Sequence, residues 1–121
     1  MVRTQDFAEG NLMQISTRTS NDIHIVAITG SLDSTTSPEA QKSLNFVLAS
    51  ATKVVLDFSE LDYISSAGLR VLLGAAKHLR ASGGKLGMFG LNQSVREVFE
   101  ISGFSSILSV YQSEAEALGA M

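Results

Sequence analysis

The chain has 121 residues, 45% of them hydrophobic and 17% charged, with a net charge of −3. That length and apolar content suit one folded domain with its own core, and they argue against disorder along most of the chain. The nine basic residues are scattered, which excludes a basic stripe for nucleic acid or a polybasic membrane anchor, and the lack of cysteine excludes disulfides, thiolate nucleophiles and Cys-ligated metal.

The chain begins MVRTQDFAEG, which is polar and aperiodic. Residues 1–10 are expected to form a loose arm ahead of a single domain over residues 11–121. The arm lacks the apolar core of a signal peptide, and no run approaches the ~18 apolar residues of a membrane span, so the expected location is the cytoplasm. Leu12 to Arg18 and Ile23 to Thr29 flank the turn-rich TSND and predict an antiparallel hairpin. IHIVAIT is nearly continuous in apolar and β-branched residues, the pattern of a strand buried on both faces.

GSLDSTTSPEA follows, with Pro38 in the first turn of a predicted helix and Thr36 and Glu39 at capping-box spacing. Ala40, Leu44, Val47, Leu48 and Ala51 give that helix one apolar stripe. KVVLDF (Lys53 to Phe58) reads as a third strand and SELDYIS as a loop. A second helix carries Leu69, Leu72, Leu73, Ala76 and Leu79 on one face and stops at Ser82-Gly83-Gly84. KLGMFG is a fourth strand, Ser94 to Ser102 a short helix, SSILSVY a fifth strand, and SEAEALGAM a terminal helical turn or two. The order ββαβαβαβα predicts an α/β domain whose mixed sheet is mostly parallel, with an antiparallel hairpin at its start.

Few stretches offer catalytic chemistry. His24 and His78 have no second histidine at metal spacing and no H-E-x-x-H context, and G-x-S-x-G is absent. SGGKLGMFG is not a phosphate loop, because Leu86 follows the lysine. A helix cap and a strand with a close backbone neighbour account for its glycines. The hydroxyls of GSLDSTTSP are what a helix start needs, which leaves Asp33 without a capping role. Asp57, Glu60 and Asp62 form no clear acidic dyad. No metal and no cofactor are expected.

DYISSAGL (Asp62 to Leu69) is different. Ser65 or Ser66 suffices as an N-cap, worth ~1 kcal/mol. The pair also follows the carboxyl end of the strand Lys53 to Phe58, the edge where open α/β sheets place functional loops. A serine at a helix N-terminus suits phosphorylation, since unpaired N–H groups and the helix dipole stabilise the added charge. The surface expected to change with it consists of Ile64, Ala67, Gly68 and Leu69.

At these residues the sequence resembles the STAS domains, and among them the bacterial anti-sigma factor antagonists. The resemblance runs from Leu12 to Ala117. It is strongest in VVLDFSELDYISSAGLRVLL and is supported by G-S-L-D at Gly30 to Asp33 and by SVREVFEISGF at Ser94 to Phe104. It implies a STAS domain that is a binding module and not an enzyme. Its unphosphorylated form captures an anti-sigma factor that is also an ATP-dependent serine kinase. Phosphorylation ends the capture and a PP2C-type phosphatase restores it. Aligned on Gly68 and Leu69, the phosphorylated serine is Ser66, with Ser65 the alternative acceptor in the usual Asp position. Asp33 falls on the family's aspartate in the strand-to-helix turn and Asp57 on the polar end of the preceding strand. The implied partner surface is therefore Asp33, Asp57, Ile64, Ser65, Ser66, Ala67, Gly68 and Leu69. Ser65 and Ala67 depart from the familiar D-S-S-G-L and D-S-T-G-L.

Two other readings are compatible with these residues. In one, the same domain serves as a separate regulatory subunit of a membrane transporter or other complex, without a phosphoswitch. In the other, Ser66 is the nucleophile of a small enzyme with Asp33 or Asp57 nearby, although a carboxylate alone activates serine poorly. The free chain is expected to be a monomer, since its hydrophobic faces are all needed for one core.

Overall fold

The apolar run that begins at Ile23 forms the central strand of the sheet in the computed structural model, which describes residues 2–3 and 13–121. In chain order the strands are β1 (Val2–Arg3), β2 (Met13–Ser20), β3 (Ile23–Leu32), β4 (Lys53–Asp57), β5 (Leu61–Ile64), β6 (Lys85–Phe89) and β7 (Ser109–Tyr111). The helices are α1 (Ser37–Leu48), α2 (Ser66–Ala81), α3 (Gln93–Ile101) and α4 (Glu114–Gly119), with a 3-10 turn at Phe104–Ser106.

The expected hairpin is β2–β3. Its turn residues Asn21 and Asp22 both have positive φ, 48° and 63°. Asn and Asp tolerate that region best after glycine, and a two-residue turn of this kind matches the twist of paired strands. From β3 onward every pairing is parallel: β3 with β4 and β5, β4 with β6, and β6 with β7. The strands lie in the order β1-β2-β3-β4-β6-β7, with β5 beside the end of β3. The predicted mixed, mostly parallel sheet is therefore present.

Helices α1, α2 and α3 cover one face of this sheet. Val26, Ile28, Val54, Leu56 and Met88 meet Leu44, Leu72, Leu79 and Phe99 there in the main core. On the opposite face α4 closes a smaller cluster of Ile23, Ile25, Val55, Phe89 and Ala117. An exposed ion pair, Arg18 Nη2 to Glu114 Oε1 at 2.7 Å, links β2 to the start of α4.

Four local expectations differ from the structure. Within the predicted arm, Val2–Arg3 pair antiparallel with Ile15–Ser16, while residues 1 and 4–10 lie outside the described residues, as does Leu12. The predicted SELDYIS loop contains β5. Its register against β3 shifts between Gly30 and Ser31, so Leu61 opposes Gly30 and Tyr63 opposes Ser31, with Asp62 as the extra residue. A bulge of this kind turns two successive side chains outward and hides the period of two. The predicted fifth strand is shortened to Ser109–Tyr111. Ahead of it the chain coils, with Ile107 N and Leu108 N both donating to Phe104 O. Finally, Thr36 precedes α1 without capping it through its side chain, so the T-x-x-E box does not form.

Candidate functional site

The carboxyl ends of β3 and β5 converge on the first turn of α2. Ser65 occupies the N-cap position, with extended backbone and its Oγ accepting a long 3.4 Å hydrogen bond from Gly68 N. Its own N–H donates to Leu32 O at 2.9 Å, and its carbonyl accepts from Leu69 N at 2.9 Å. Ser66 is the first residue inside the helix and is exposed. The two adjacent serines thus have different jobs, because one closes the helix end and the other stands in solvent beside N–H groups that no intrahelical acceptor reaches. Ser65→Ala is expected to cost about 0.5–1 kcal/mol in urea unfolding, at the low end for a cap because the bond is long. Ser66→Ala, at an exposed position without a capping role, is expected to change stability by less than about 0.5 kcal/mol.

Gly68 explains how close the helix start comes to the sheet. A Cβ there would lie 2.7 Å from Leu32 O and 2.8 Å from Ile64 Cγ1. Only a residue without a side chain lets α2 rest on the ends of both strands.

Asp33 follows Leu32 directly and so stands in the turn next to Ser65. Its Oδ1 accepts from Thr35 N at 2.9 Å and Thr36 N at 3.1 Å, while its N–H donates to Thr36 Oγ1 at 2.9 Å. The Thr36 hydroxyl in turn donates to Ser31 O at 2.7 Å. Ser37 N reaches the Asp33 carbonyl at 2.8 Å. The carboxylate that capping leaves unexplained in the sequence is therefore the group that closes the turn into α1, in place of Thr36. Asparagine keeps the accepting oxygen and removes the charge. Asp33→Ala is expected to destabilise by about 1–2 kcal/mol and Asp33→Asn by clearly less, measured by chemical unfolding. A loss of partner binding in the stable Asn variant then reports on charge rather than folding.

The structure brings Asp33, Ser65, Ser66 and Ala67 together at the start of α2, and it covers or turns away four other members of the expected surface. Ile64 is 1% exposed, Leu69 is 4% exposed and Gly68 is buried, so in the free chain these three pack the helix start against the sheet. Strand alternation puts Asp57 on the side of Val55, the α4 face, opposite α2. Its Oδ1 accepts from Ser59 N at 2.9 Å and Ser59 Oγ at 2.6 Å, which fixes its own turn. Two residues not anticipated belong to the exposed surface here. Tyr63 is 51% exposed because the β5 bulge turns it outward, which no periodicity reveals. Arg70 is exposed one turn along α2 from Ser66, a position that helical spacing alone could have found.

The site is thus an exposed serine at a pinned helix start, at the edge of a mostly parallel α/β sheet. The family model described as "STAS domain" matches residues 14–117, and the chain belongs to that family. The anti-sigma-B factor antagonist of Listeria monocytogenes is 32% identical over 108 residues, 88% of this chain and 94% of that protein. BtrV of Bordetella bronchiseptica, named as a proposed anti-sigma factor antagonist, is 57% identical over 68 residues, which span 56% of this chain and 59% of BtrV. Among solved structures, an anti-sigma factor antagonist from Mycobacterium paratuberculosis superposes with a TM-score of 0.83 at 20% identity, over 96% of this chain and 97% of that one. That last likeness establishes the fold.

Proposed function

We propose that this protein is an anti-sigma factor antagonist working by partner switching in the bacterial cytoplasm. In its unphosphorylated form it binds an anti-sigma factor that is also an ATP-dependent serine kinase, and so releases a sigma factor. It acts by binding, as a monomer, and catalyses nothing itself. The kinase moves the γ-phosphoryl group of ATP onto Ser66 Oγ, with loss of the hydroxyl proton and release of ADP. A PP2C-type phosphatase reverses this by hydrolysis to inorganic phosphate.

One observation carries this reading: Ser66 is exposed at the first position of α2 and takes no part in the cap, which Ser65 supplies. A kinase can reach that hydroxyl without unfolding anything, and the helix start stabilises the dianion that results. The same observation favours Ser66 over Ser65 as acceptor, because Ser65 is partly buried with its hydroxyl engaged. The names of the 32% identical relative and its counterparts support the antagonist role. The enzyme reading loses one of its two candidate bases, Asp57, which projects to the other face, and the other, Asp33, has its Oδ1 engaged by Thr35 N and Thr36 N.

The test is affinity capture from lysate of the source cells with nucleotide present, using wild-type, Ser66→Ala and Ser66→Asp baits. An ATP-binding kinase held by the first two and lost from the third supports the switch. The same partners on all three baits, or chiefly a membrane transporter, overturn it.

A further inference from the structure

We propose that Arg70 is a positioning residue for the Ser66 phosphate, pairing with it one turn along α2 and holding it across the surface that a partner must cover. The inference deepens the function proposed above and rests on Ser66 as the acceptor. Ser66 and Arg70 stand four residues apart in α2 and both are exposed. That spacing puts two Cβ atoms about 6 Å apart on one helix face, a gap that phosphoserine and arginine readily bridge. The order is the favourable one, with the anion N-terminal to the cation. A guanidinium also offers a phosphate two parallel N–H donors, which fixes direction as well as charge.

Nothing nearby occupies the guanidinium first. The first turn of α2 contains no acidic residue. Among the described residues the ion pair within 4.0 Å is Arg18–Glu114, so Arg70 has no carboxylate partner. The charged groups in the segments that lead into this helix start are Asp33, in the turn after β3, and Asp62 in β5, and both repel a phosphate. Helix α1, packed on α2, carries Glu39 and Lys42, and α3, packed on β5, carries Arg96, Glu97 and Glu100. Lys77 is the next basic residue of α2, about 10 Å further along the axis. Arg70 is thus the cation within a turn of Ser66 on its own helix, and its role appears only once the phosphate is present. Without that pair the phosphate would rotate freely into water and be screened. With it, the phosphate stays over the exposed start of α2.

The experiment installs phosphoserine at position 66 during synthesis, in the otherwise wild-type protein and in Arg70→Gln and Arg70→Lys variants, so that no kinase is required. The second ionisation of the phosphate is followed by phosphorus NMR, and thermal midpoints are compared with the unphosphorylated forms. The expected result is a lower second ionisation with Arg70 present than in the Arg70→Gln variant, an intermediate value in Arg70→Lys, and loss of the difference in about 1 M salt. The phosphate is also expected to raise the midpoint by about 2 °C more in the wild-type background than in the Arg70→Gln background. Indistinguishable titrations with arginine and glutamine overturn the Arg70 inference and leave the phosphoswitch intact. Partner capture that ignores the phosphate overturns the switch and leaves the Arg70 result standing.

Discussion

Gly68→Ala is expected to lower the thermal midpoint by about 5 °C and to displace the start of α2. The added methyl would meet Leu32 O at 2.7 Å, Ile64 Cγ1 at 2.8 Å and Leu32 Cγ at 2.9 Å. None of these can yield easily. The Leu32 carbonyl is held by Ser65 N, and Leu32 and Ile64 are 0% and 1% exposed. Overpacking of this kind costs about 1–3 kcal/mol, more than the ~1 kcal/mol of helix propensity that alanine returns when the neighbours are fixed on three sides. Gly74 is the control. It lies in the same helix, is exposed, and has nothing within 4 Å of its missing Cβ. Gly74→Ala is expected to stabilise by about 0.5–1 kcal/mol. Calorimetry on the two variants separates packing from propensity, and stabilisation by both would remove the account of Gly68 given above.

The second large effect concerns the proposed partner. Phosphoserine at position 66 is expected to weaken binding to the kinase more than a hundredfold, with the circular dichroism and melting of the free protein preserved. A phosphate carries more charge than the one guanidinium of Arg70 offsets, so a docked interface leaves the remainder desolvated at a cost of several kcal/mol, and a loss of ~3 kcal/mol already exceeds a hundredfold. Ser66→Ala, which removes one exposed hydroxyl, is expected to bind within about threefold of wild type. Titration calorimetry against the purified kinase decides the point. Phosphorylated protein that binds within tenfold of the unmodified form would show that the phosphate does not act through the interface.

Much of this architecture is legible in the sequence for identifiable reasons. IHIVAIT announces a strand buried on both sides, and the structure places it in the middle of the sheet with both hydrophobic clusters drawing on it. The stripes of α1 and α2 follow the helical period, and Ser82-Gly83-Gly84 marks the end of α2, where Gly83 has φ of 80°. β5 escapes because its bulge puts Asp62 and Tyr63 on the outside together. β7 is overestimated because Ile107 and Leu108, apolar enough for a strand, belong to a coil wound on Phe104. At the site, the N-cap and the exposed first residue are readable from SSAG. Which motif residues touch a partner is not readable from resemblance, since a motif marks Gly68 and Leu69 equally whether they pack or bind. The helical period already places Leu69 inward, with Leu72 and Leu79. Gly68 has no side chain to carry a period, so only the coordinates reveal what it rests against.

The same contact has a kinetic consequence. Because α2 begins against two strand ends, the surface around Ser66 is in place before any partner arrives, and docking on it as proposed would order little of the helix start. Association is then limited by orientation, at about 10⁵–10⁷ M⁻¹ s⁻¹, and the phosphate has no slow loop closure on which to act. In the switch proposed above, its effect would therefore fall on how long a complex lasts once made. Ser66 chemistry would then set a residence time, and the rate at which a captured kinase returns to circulation would be a property of one oxygen atom at the head of one helix.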